Sequence, residues 1–345
     1  MSALVTGGAG YIGSHMVRFL REEGRDVVVV DDLSSGHRDA VPEDVPFVEA
    51  NVGDADRMKH VFRTHHVEAI FHFASRIQVG ESVRNPRLYY DNNLGAAISL
   101  LDAALDTGVR SFVLSSTAAV YGTPERVPIE ESDPTQPINP YGETKLAIER
   151  MLASYAAAYG LSFAALRYFN DAGADADAGL GERHDPESHL IPLVLGAALG
   201  HVPAVTVFGR DYPTADGTCV RDYIHVRDLA EAHLAALAHL ERGGESGAFN
   251  LGTGTGHSVA EVIATCRRVT GHEIPVTFAP RREGDPAALV ASARRAELLL
   301  GWKPRHSSLE RIVRDAWSFL TATRPAAESD LTPRARQKEE IAHAR

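Results

Sequence analysis

Short apolar runs alternate with amphipathic stretches through the first half of the chain, and this alternation restricts the fold more than any other feature. Six runs predict buried strands: Leu4–Thr6, Val27–Val30, Phe47–Glu49, Ile70–Phe73, Phe112–Ser115 and Phe163–Arg167. Four stretches predict helices: Ile12–Glu23, Ala55–Thr64, Asn92–Asp106 and Tyr141–Tyr159. Strands that alternate with helices of this length form right-handed β-α-β units, so the sequence predicts the α/β class with a doubly wound parallel sheet.

The pattern becomes less regular after about residue 170, where Gly, Pro and Asp cluster at 171–186 and at 209–217. We expect residues 1–180 to form the main domain and residues 181–325 to form a smaller, mixed α/β part. One predicted helix, Asp228–Leu240, lies in a segment (225–255) that we expect to return to the main sheet. The polar and charged residues 326–345 predict a mobile tail.

Two helix starts in the smaller part carry the spacing of a capping box. Ser258 precedes Glu261 by three residues, and Ser307 precedes Glu310 by three residues. In this motif the serine side chain accepts a hydrogen bond from the backbone of the third helical residue. The pattern therefore predicts that Ser258 and Ser307 are N-cap residues.

The composition excludes several functional classes. The 345 residues carry 35 Lys and Arg against 46 Asp and Glu, a net charge of −11, without the basic patch that is typical of nucleic-acid binders. The only two cysteines, Cys219 and Cys266, exclude a disulfide framework and a cysteine-rich zinc site, and we expect no metal. The first residues lack the pattern of a signal peptide, and no apolar run is long enough to span a bilayer, so we expect a cytoplasmic protein without a membrane partner.

The first predicted strand leads directly into a glycine-rich turn and then into a helix. Gly7, Gly10 and Gly13 have the spacing G-x-x-G-x-x-G, which lets a backbone approach a pyrophosphate at a helix N-terminus. Asp31 ends the second predicted strand, where a carboxylate accepts hydrogen bonds from a ribose diol and repels a 2′-phosphate. The context favours a Rossmann-type site for NAD over a glycine turn without a ligand.

The residues Tyr141 and Lys145 form a Y-x-x-x-K pair at the start of a predicted helix, directly after Pro140. Residues four apart share one face of a helix, so the phenol and the ammonium group point at one site. A nearby cation favours the phenolate, so we expect Lys145, together with the positive nicotinamide, to lower the pKa of Tyr141 toward working pH and to make it a base.

Three hydroxyl-bearing residues end the fifth predicted strand: Ser115, Ser116 and Thr117. The carboxyl ends of parallel strands are where an open α/β sheet binds its ligand. Any of the three is a candidate hydrogen-bond partner for a reacting hydroxyl, and we favour Thr117.

Long stretches of the chain, from Ala3 to about Phe319, resemble the extended short-chain dehydrogenase/reductase family and, within it, the UDP-glucose (UDP-galactose) 4-epimerases. The matching segments are GGAGYIGSH, HFAS with VGES, YYDNN, SSTAAVYG, NPYGETK, RYFNDAGAD, DYPTADGTCVRDYIHV, NLGTG and APRREGD. The resemblance implies inversion at C4 of a UDP-hexose in galactose metabolism, with hydride transfer to bound NAD and back through a 4-keto sugar.

The resemblance also implies a set of site residues. Tyr141 would be the base, Lys145 its activator, and Thr117 the partner of the sugar O4. The cofactor contacts would be Gly7, Gly10, Tyr11, Ile12, Gly13, Asp31, Asn51, Val52, Phe73, Asn92, Ser115, Tyr141, Lys145 and Tyr168. The substrate contacts would be Thr117, Tyr141, Asn170, His189, Leu190, Arg221, Arg282, Asp285 and Leu289. Judged on its own, either Arg221 or Arg282 is an ordinary surface ion-pair residue.

Four positions depart from the pattern of some members of the family. Asn51 stands where an Asp is frequent, Ile77 where some members have a Lys, and His189 where some have an Asn. We expect a plain amide-like donor role for His189, while its ordinary pKa near neutrality leaves open a pH dependence of UDP binding. Leu289 is smaller than the Tyr of other members, so we expect N-acetylated hexosamines to fit as well.

Other readings of the sequence remain open. A nucleotide-sugar dehydratase of the same fold would need an acid pair where this chain has Ala118 and Ala119. A uronate or pentose substrate is a minority reading, since Arg76 could face a carboxylate. A regulator without catalysis would not need both Tyr141 and Lys145. The apolar faces of the helices Asn92–Asp106 and Tyr141–Tyr159 predict a homodimer.

Overall fold

The computed structural model describes residues 2–282 and 285–322 of the chain. The predicted tail at 326–345 lies outside these residues. The strands are β1 (Ser2–Thr6), β2 (Asp26–Asp31), β3 (Phe47–Glu49), β4 (Val67–His72), β5 (Ser111–Thr117), β6 (Ser162–Tyr168), β7 (Asn170–Ala172), β8 (Val205–Phe208), β9 (Val220–His225), β10 (Gly247–Leu251), β11 (Gly256–Ser258), β12 (Val276–Ala279) and β13 (Ala288–Leu289). The α-helices are α1 (Tyr11–Glu22), α2 (Ala55–Thr64), α3 (Val79–Arg84), α4 (Pro86–Tyr89), α5 (Ala96–Thr107), α6 (Pro140–Tyr159), α7 (Leu190–Ala198), α8 (Val226–Glu241), α9 (Val259–Thr270), α10 (Arg294–Leu300) and α11 (Leu309–Ala322).

Seven parallel strands form the main sheet, in the order β10-β6-β5-β4-β1-β2-β3. The chain winds outward from β1 in one direction through β2 and β3, and in the other through β4, β5 and β6. The order therefore reverses between β1 and β4, and this reversal opens a crevice at the carboxyl ends of the strands. The prediction of a doubly wound parallel sheet is confirmed.

The strands are apolar on both faces because helices cover both faces. Along β1, Leu4 faces the layer of α2, α5 and α6, whereas Val5 faces the layer of α1 and α8. The side chains of Leu4 and Val5 are both excluded from solvent. Parallel strands that are covered on both sides read as continuous apolar runs, which explains why these strands could be predicted.

A second, smaller set of elements packs beyond the carboxyl edge of the main sheet. Strand β9 pairs with β7, β11 and β13, and β8 pairs with β12. The helices α7, α9 and α11 pack around these strands in a separate apolar cluster. The helix α8 and the strand β10, by contrast, belong to the main sheet and its layers, as the sequence predicts.

Two predicted helix starts are wrong. The helix predicted from Asn92 begins as a π-helical turn at Tyr90–Gly95, and regular α-helix starts at Ala96. This turn brings the buried Asn93 to the backbone of Arg76, whose N–H and C=O both bond its side-chain amide at 2.8 and 3.0 Å. A local wide turn with a tertiary partner leaves no periodic signal in the sequence.

The second wrong start is that of α11. The predicted N-cap, Ser307, donates its hydroxyl to Asp228 and accepts from the backbone N–H of His225, at 2.5 and 2.8 Å. Ser308 instead accepts from the backbone of Arg311. Only Ser307 has a Glu three residues later, but the buried Asp228 engages its hydroxyl, and the adjacent Ser308 caps the helix instead. The capping box at Ser258 is confirmed, with both of its hydrogen bonds formed.

Within the described ranges, no helix has the length and apolar character that crossing a bilayer requires.

Candidate active site

One cavity of about 410 Å³ lies at the carboxyl edge of the main sheet. It is lined by the residues that follow β1, β2, β3 and β4 and by the last residues of β5 and β6. Of the sequence-predicted site residues, those that line it are Gly7, Gly10, Tyr11, Ile12, Gly13, Asp31, Asn51, Val52, Phe73, Asn92, Ser115, Thr117, Tyr141, Lys145, Tyr168, Asn170, His189, Arg221 and Leu289. Residues that are far apart in sequence thus meet at the crevice where the strand order reverses.

The glycine-rich turn packs too closely for side chains. A Cβ atom on Gly13 would lie 2.0 Å from the carbonyl oxygen of Gly7. Gly10 is the N-cap of α1 and has no side chain with which to cap it. The N-terminus of α1 therefore meets the cavity as bare backbone, which is the arrangement that binds a pyrophosphate.

Asp31 lies at the end of β2, beside the glycine-rich turn. Its two oxygens accept hydrogen bonds from the backbone N–H groups of Ala9 and Leu33, at 2.9 and 2.8 Å. Burial raises the pKa of this carboxyl above its ordinary value, and the two backbone hydrogen bonds oppose that rise. The carboxylate is held at the cavity wall with acceptor capacity to spare, which suits the two hydroxyls of a ribose.

Helix α6 carries Tyr141 and Lys145 on one face. Asn139 caps the helix by accepting from the N–H of Gly142 at 2.9 Å, and Pro140 occupies its first turn. A Cβ on Gly142 would lie 2.6 Å from the carbonyl oxygen of Ala119. Because this glycine lets the first turn of α6 approach the residues after β5, Tyr141 lies next to Thr117 at the end of that strand.

The phenol of Tyr141 is more difficult to ionise in the protein alone than the sequence predicts. Burial raises its pKa to about 12, while the hydrogen bond with Thr117 acts in the opposite direction. Burial lowers the pKa of Lys145 to about 7, against the field of Glu149. In the protein alone the same burial disfavours both charges, and the lowering of the Tyr141 pKa by Lys145 together with the nicotinamide stays a prediction.

Lys145 is oriented by the backbone of β5. Its Nζ donates to the carbonyl oxygen of Ser115 at 2.9 Å and lies 6.0 Å from the ring centroid of Tyr141. Only part of its donor capacity is directed to the protein, so the remaining N–H groups are available to a ligand in the cavity.

The three hydroxyls at the end of β5 point in different directions. Ser115 bonds the hydroxyl of Tyr168, and Thr117 lines the cavity next to Tyr141. Ser116 turns away and donates to the buried carboxylate of Glu149 at 2.5 Å. Alternation along a strand requires this split, so Ser116 is not a candidate partner of the reacting hydroxyl.

Three predicted substrate contacts do not line the cavity: Leu190, Arg282 and Asp285. Leu190 begins α7 and packs on the apolar cluster of the smaller part. Asp285 forms ion pairs with Arg221 and, at 3.2 Å, with Arg282. The side chain of Arg282 is 61% exposed and lies over the ring of Phe208.

The two departures on the cofactor side have distinct surroundings. Asn51 donates to Asp32 at 3.2 Å and accepts from the N–H of Gly53 at 2.8 Å, so it still contributes hydrogen bonds at the cavity wall. Ile77 lines the cavity and is 39% exposed, as an apolar residue without a charge. Arg76 also lines the cavity, and its Nε is buried without a hydrogen-bond partner.

His189 lies in a charged cluster that the sequence analysis did not identify. Its Nδ1 lies 2.5 Å from Glu182 and 3.4 Å from Glu187, and Nδ1 of His184 donates to Glu182 at 2.9 Å. Burial alone would lower the pKa of His189, but these carboxylates raise it to about 11. The ring is therefore a charged donor rather than a plain amide-like one, and its contact with a substrate stays a prediction. The segment GERHDPESH, with its acid and imidazole groups close in sequence, was the available signal.

The fold and the site together define a class: a doubly wound α/β protein with a dinucleotide cavity and a tyrosine–lysine pair at the carboxyl ends of its strands. The bare N-terminus of α1, the carboxylate of Asp31 and the free donors of Lys145 fit the phosphates and riboses of NAD.

Residues 3–252 match the NAD dependent epimerase/dehydratase family, and the chain belongs to this family. A UDP-glucose 4-epimerase of Halalkalibacterium halodurans is 54% identical over 319 residues, which cover 92% of this chain and 95% of that protein.

Two solved structures are also similar. The UDP-glucose 4-epimerase of Brucella ovis in complex with NAD has a TM-score of 0.89 at 49% identity, covering 92% of this chain and 97% of that one. The UDP-glucose 4-epimerase of Stenotrophomonas maltophila, with bound NAD and formylated UDP-arabinopyranose, has a TM-score of 0.90 at 44% identity, covering 93% and 98%.

Proposed function

We propose that this protein is an NAD-dependent epimerase that interconverts UDP-glucose and UDP-galactose by inverting C4. The single observation that carries the proposal is the convergence of Tyr141, Lys145 and Thr117 at the wall of a cavity that also holds the glycine-rich turn. The relatives with this name, at about half of all positions identical, support the substrate class.

Bound NAD would supply the acceptor that takes a hydride from C4 and later returns it. The N-terminus of α1 would hold the pyrophosphate, Asp31 would hold the adenine ribose, and Lys145 would hold the ribose nearer the reacting carbon. The hydrogen bonds of Asp31 to the backbone keep its side chain in place, so that it would lose little conformational entropy when the ribose binds.

Tyr141 acts as the base that removes the proton from O4 as C4 gives up its hydride. Its pKa of about 12 in the protein alone means that the neutral phenol is the resting form. The positive charge of the oxidised nicotinamide and the ammonium form of Lys145 favour the phenolate when the cavity is filled. Thr117 bonds O4 and so orients the hydroxyl toward the phenol.

Inversion requires that the sugar present both of its faces to the same reacting groups. We propose that the protein holds the UDP part by Asn170, His189 and Arg221, while the 4-keto sugar turns over within the cavity. Return of the hydride to the opposite face then gives the epimer. Arg221 is suited to the diphosphate because its planar guanidinium presents forked donors and is fixed by Asp285.

Two cavity residues, Leu289 and Arg76, favour the acceptance of further UDP-sugars. Leu289 at the cavity wall is smaller than a tyrosine, which favours acceptance of an N-acetyl group beside it. Arg76 has an unpartnered, buried Nε at the cavity and favours an acidic or shorter sugar as a second candidate substrate. Ala118 and Ala119 offer no acid–base group, which disfavours a dehydratase.

The experiment that tests the proposal follows UDP-galactose by NMR with the purified protein and with Tyr141→Phe. Conversion to UDP-glucose should be readily detected in the first and reduced at least about a hundredfold in the second, because the general base is lost. UDP-N-acetylgalactosamine in parallel tests the reading of Leu289. If UDP-galactose is not converted even when NAD is added, the proposed function is wrong.

We further propose the organisation and setting of the enzyme. Residues 1–180, with 225–255, would hold NAD, and residues 181–325 would mainly hold the UDP-sugar.

A homodimer through α5 and α6 is supported by the exposed Ile98 and the small residues on the outer face of α6, such as Ala153 and Ala157. Two free, buried cysteines are compatible with a cytoplasmic location.

A further inference from the structure

The segment that leads into α7 brings two carboxylates and two imidazoles together at the cavity wall. Glu182 is the central group: one of its oxygens lies 2.9 Å from Nδ1 of His184 and 2.5 Å from Nδ1 of His189. The side chain of Glu182 is only 6% exposed. A buried carboxylate that contacts two imidazole donors needs at least one of them charged.

The groups that face His189 are predominantly acidic. Glu182 and Glu187 contact its Nδ1, and the half-buried Asp171 of β7 adds to their field. His184 lies beside it, with ring centroids 5.3 Å apart, and is the one opposing imidazole. The phenol of Tyr11, on α1, faces the same carboxylates, and burial and their field raise its pKa well above the ordinary value.

The directions of the pKa shifts agree on both sides of the contact. Burial alone would raise the pKa of Glu182, but the hydrogen bond with His184 and the ion-pair contact with His189 lower it. Burial alone would lower the pKa of His189, but Glu182 and then Glu187 raise it to about 11. A carboxylate–imidazolium pair is therefore the stable form throughout the neutral range.

The positive charge of His189 lies at a cavity wall that also carries several carboxylates, where an anionic ligand would need a cation. The protein has a net charge of −11, and the cavity is lined by several carboxylates, including Asp31, Asp171 and Asp185. An imidazolium whose Nδ1 lies in contact with Glu182 keeps its Nε2–H for a ligand. His189 is also the N-cap of the nine-residue helix α7, whose dipole favours an anion at the same place.

We infer that Glu182 is a positioning residue that fixes His189 as a permanently charged ligand for the diphosphate of the nucleotide sugar. The inference rests on the proposed function for the identity of the ligand, but the charged pair itself is independent of that ligand. Its consequence is that the contribution of His189 to substrate affinity persists at neutral and moderately alkaline pH, where an ordinary histidine would lose its charge.

The test measures binding of UDP-glucose by calorimetry in a Tyr141→Phe background, so that no turnover occurs. Both phosphates of UDP-glucose keep their charges from about pH 6 to 9, whereas Lys145 titrates near pH 7 and the uracil N3–H begins to ionise at the alkaline end. Each variant is therefore compared with the parent at the same pH, at about pH 6, 7.5 and 9. Addition of Glu182→Gln should weaken binding relative to the parent by about tenfold at pH 9 and by less at pH 6, because His189 then has a normal or lower pKa.

Two further variants separate the effect of the charge on His189 from a general effect on the structure. His189→Asn keeps a donor but no charge, and should weaken binding about tenfold at every pH. Glu231→Gln is the matched control, since Glu231 also pairs with a histidine, His306 at 3.3 Å, but does not line the cavity. This control should match the parent at every pH.

A second measurement keeps the inference independent of the substrate. In protein with labelled histidines, the imidazole signal that His189→Asn removes should show a protonated ring up to at least about pH 9, and Glu182→Gln should bring its titration to about pH 6.5 or below. A neutral ring at pH 7.5 in the parent, or unchanged binding in Glu182→Gln, would overturn the inference. Failure of the parent to bind UDP-glucose while the ring stays protonated would instead contradict the proposed function.

Discussion

At the scale of single residues, the cavity holds groups whose ionisation is set by burial before any ligand arrives. Burial raises the pKa of Tyr141 to about 12 and lowers that of Lys145 to about 7. Both groups are therefore close to neutral in the protein alone at pH 8. A bound cation in the cavity changes this balance for Tyr141, which couples the activity of the base to the presence of the oxidised cofactor.

The buried Lys145 lowers the free energy of unfolding by an amount that can be measured. The ordinary pKa of a lysine in an unfolded chain is about 10.4, so unfolding takes up protons between about pH 7 and 10. The penalty from Lys145 is therefore fully present at pH 7 and fades as the pH rises toward 10. We predict that Lys145→Met increases the free energy of unfolding by a few kcal/mol at pH 7 and by clearly less at pH 9.5.

Urea unfolding of wild-type and variant protein at the two pH values tests this prediction. Activity should be lost in the same variant, which would be a stability gain at the expense of function. Lys303→Met, at an exposed lysine paired with Glu297, serves as the control and should change neither stability nor its pH dependence by more than about 0.5 kcal/mol. An equal effect of Lys145→Met at both pH values would contradict the burial of a neutral amine.

At the scale of elements, a buried polar network connects the catalytic helix to two strands. Glu149, two turns after Tyr141 on α6, accepts from Ser116 of β5 and from Arg167 of β6. Arg167 also donates to the hydroxyl of Tyr121 at 2.8 Å. The side chains of Glu149 and Arg167 are 6% and 7% exposed, so the network fixes α6 against the ends of β5 and β6 without help from solvent.

We predict that Glu149→Leu destabilises the protein by about 3–5 kcal/mol, because it leaves Arg167 buried without its counter-ion. The double variant Glu149→Leu with Arg167→Met should cost less than the sum of the single changes, since it removes the uncompensated charge. Chemical unfolding of the three variants gives the coupling free energy. Additive effects of the two substitutions would show that the pair does not act as a unit.

The elements differ in how far the sequence predicts them. Strands buried on both faces and helices with clear caps, such as α6 after Asn139 and Pro140, follow from local patterns. The π turn before α5 and the choice of Ser308 over Ser307 depend on Asn93 and Asp228, which act through distant partners. Tertiary hydrogen bonds of this kind leave no periodic signal.

The candidate site shows the same division. The glycine-rich turn, Asp31 and the Tyr141–Lys145 pair are predictable because each occupies a fixed place relative to a strand or a helix start. The charge on His189 was missed because it depends on the buried oxygen of Glu182, seven residues earlier on an irregular segment. Leu190, Arg282 and Asp285 were placed by resemblance alone, and their side chains lie outside the cavity wall.

At the scale of the whole molecule, the cavity lies between the main sheet and the smaller part, with walls from both. The glycine-rich turn and Asp31 contribute one side, while His189, Arg221 and Leu289 contribute the other. Such an arrangement encloses the dinucleotide and the nucleotide sugar together. We therefore expect the cofactor to stay bound through the catalytic cycle, so that the hydride taken from C4 returns to the same carbon.

The most direct test supplies UDP-galactose that carries deuterium at C4 to the protein as purified, in ordinary water and without added NAD. We predict UDP-glucose that retains deuterium at C4, and no such product from Tyr141→Phe. UDP-glucose with hydrogen from the solvent at C4, or conversion that occurs only through exchange with an external pool of cofactor, would contradict the account of a retained NAD and of direct return of the hydride.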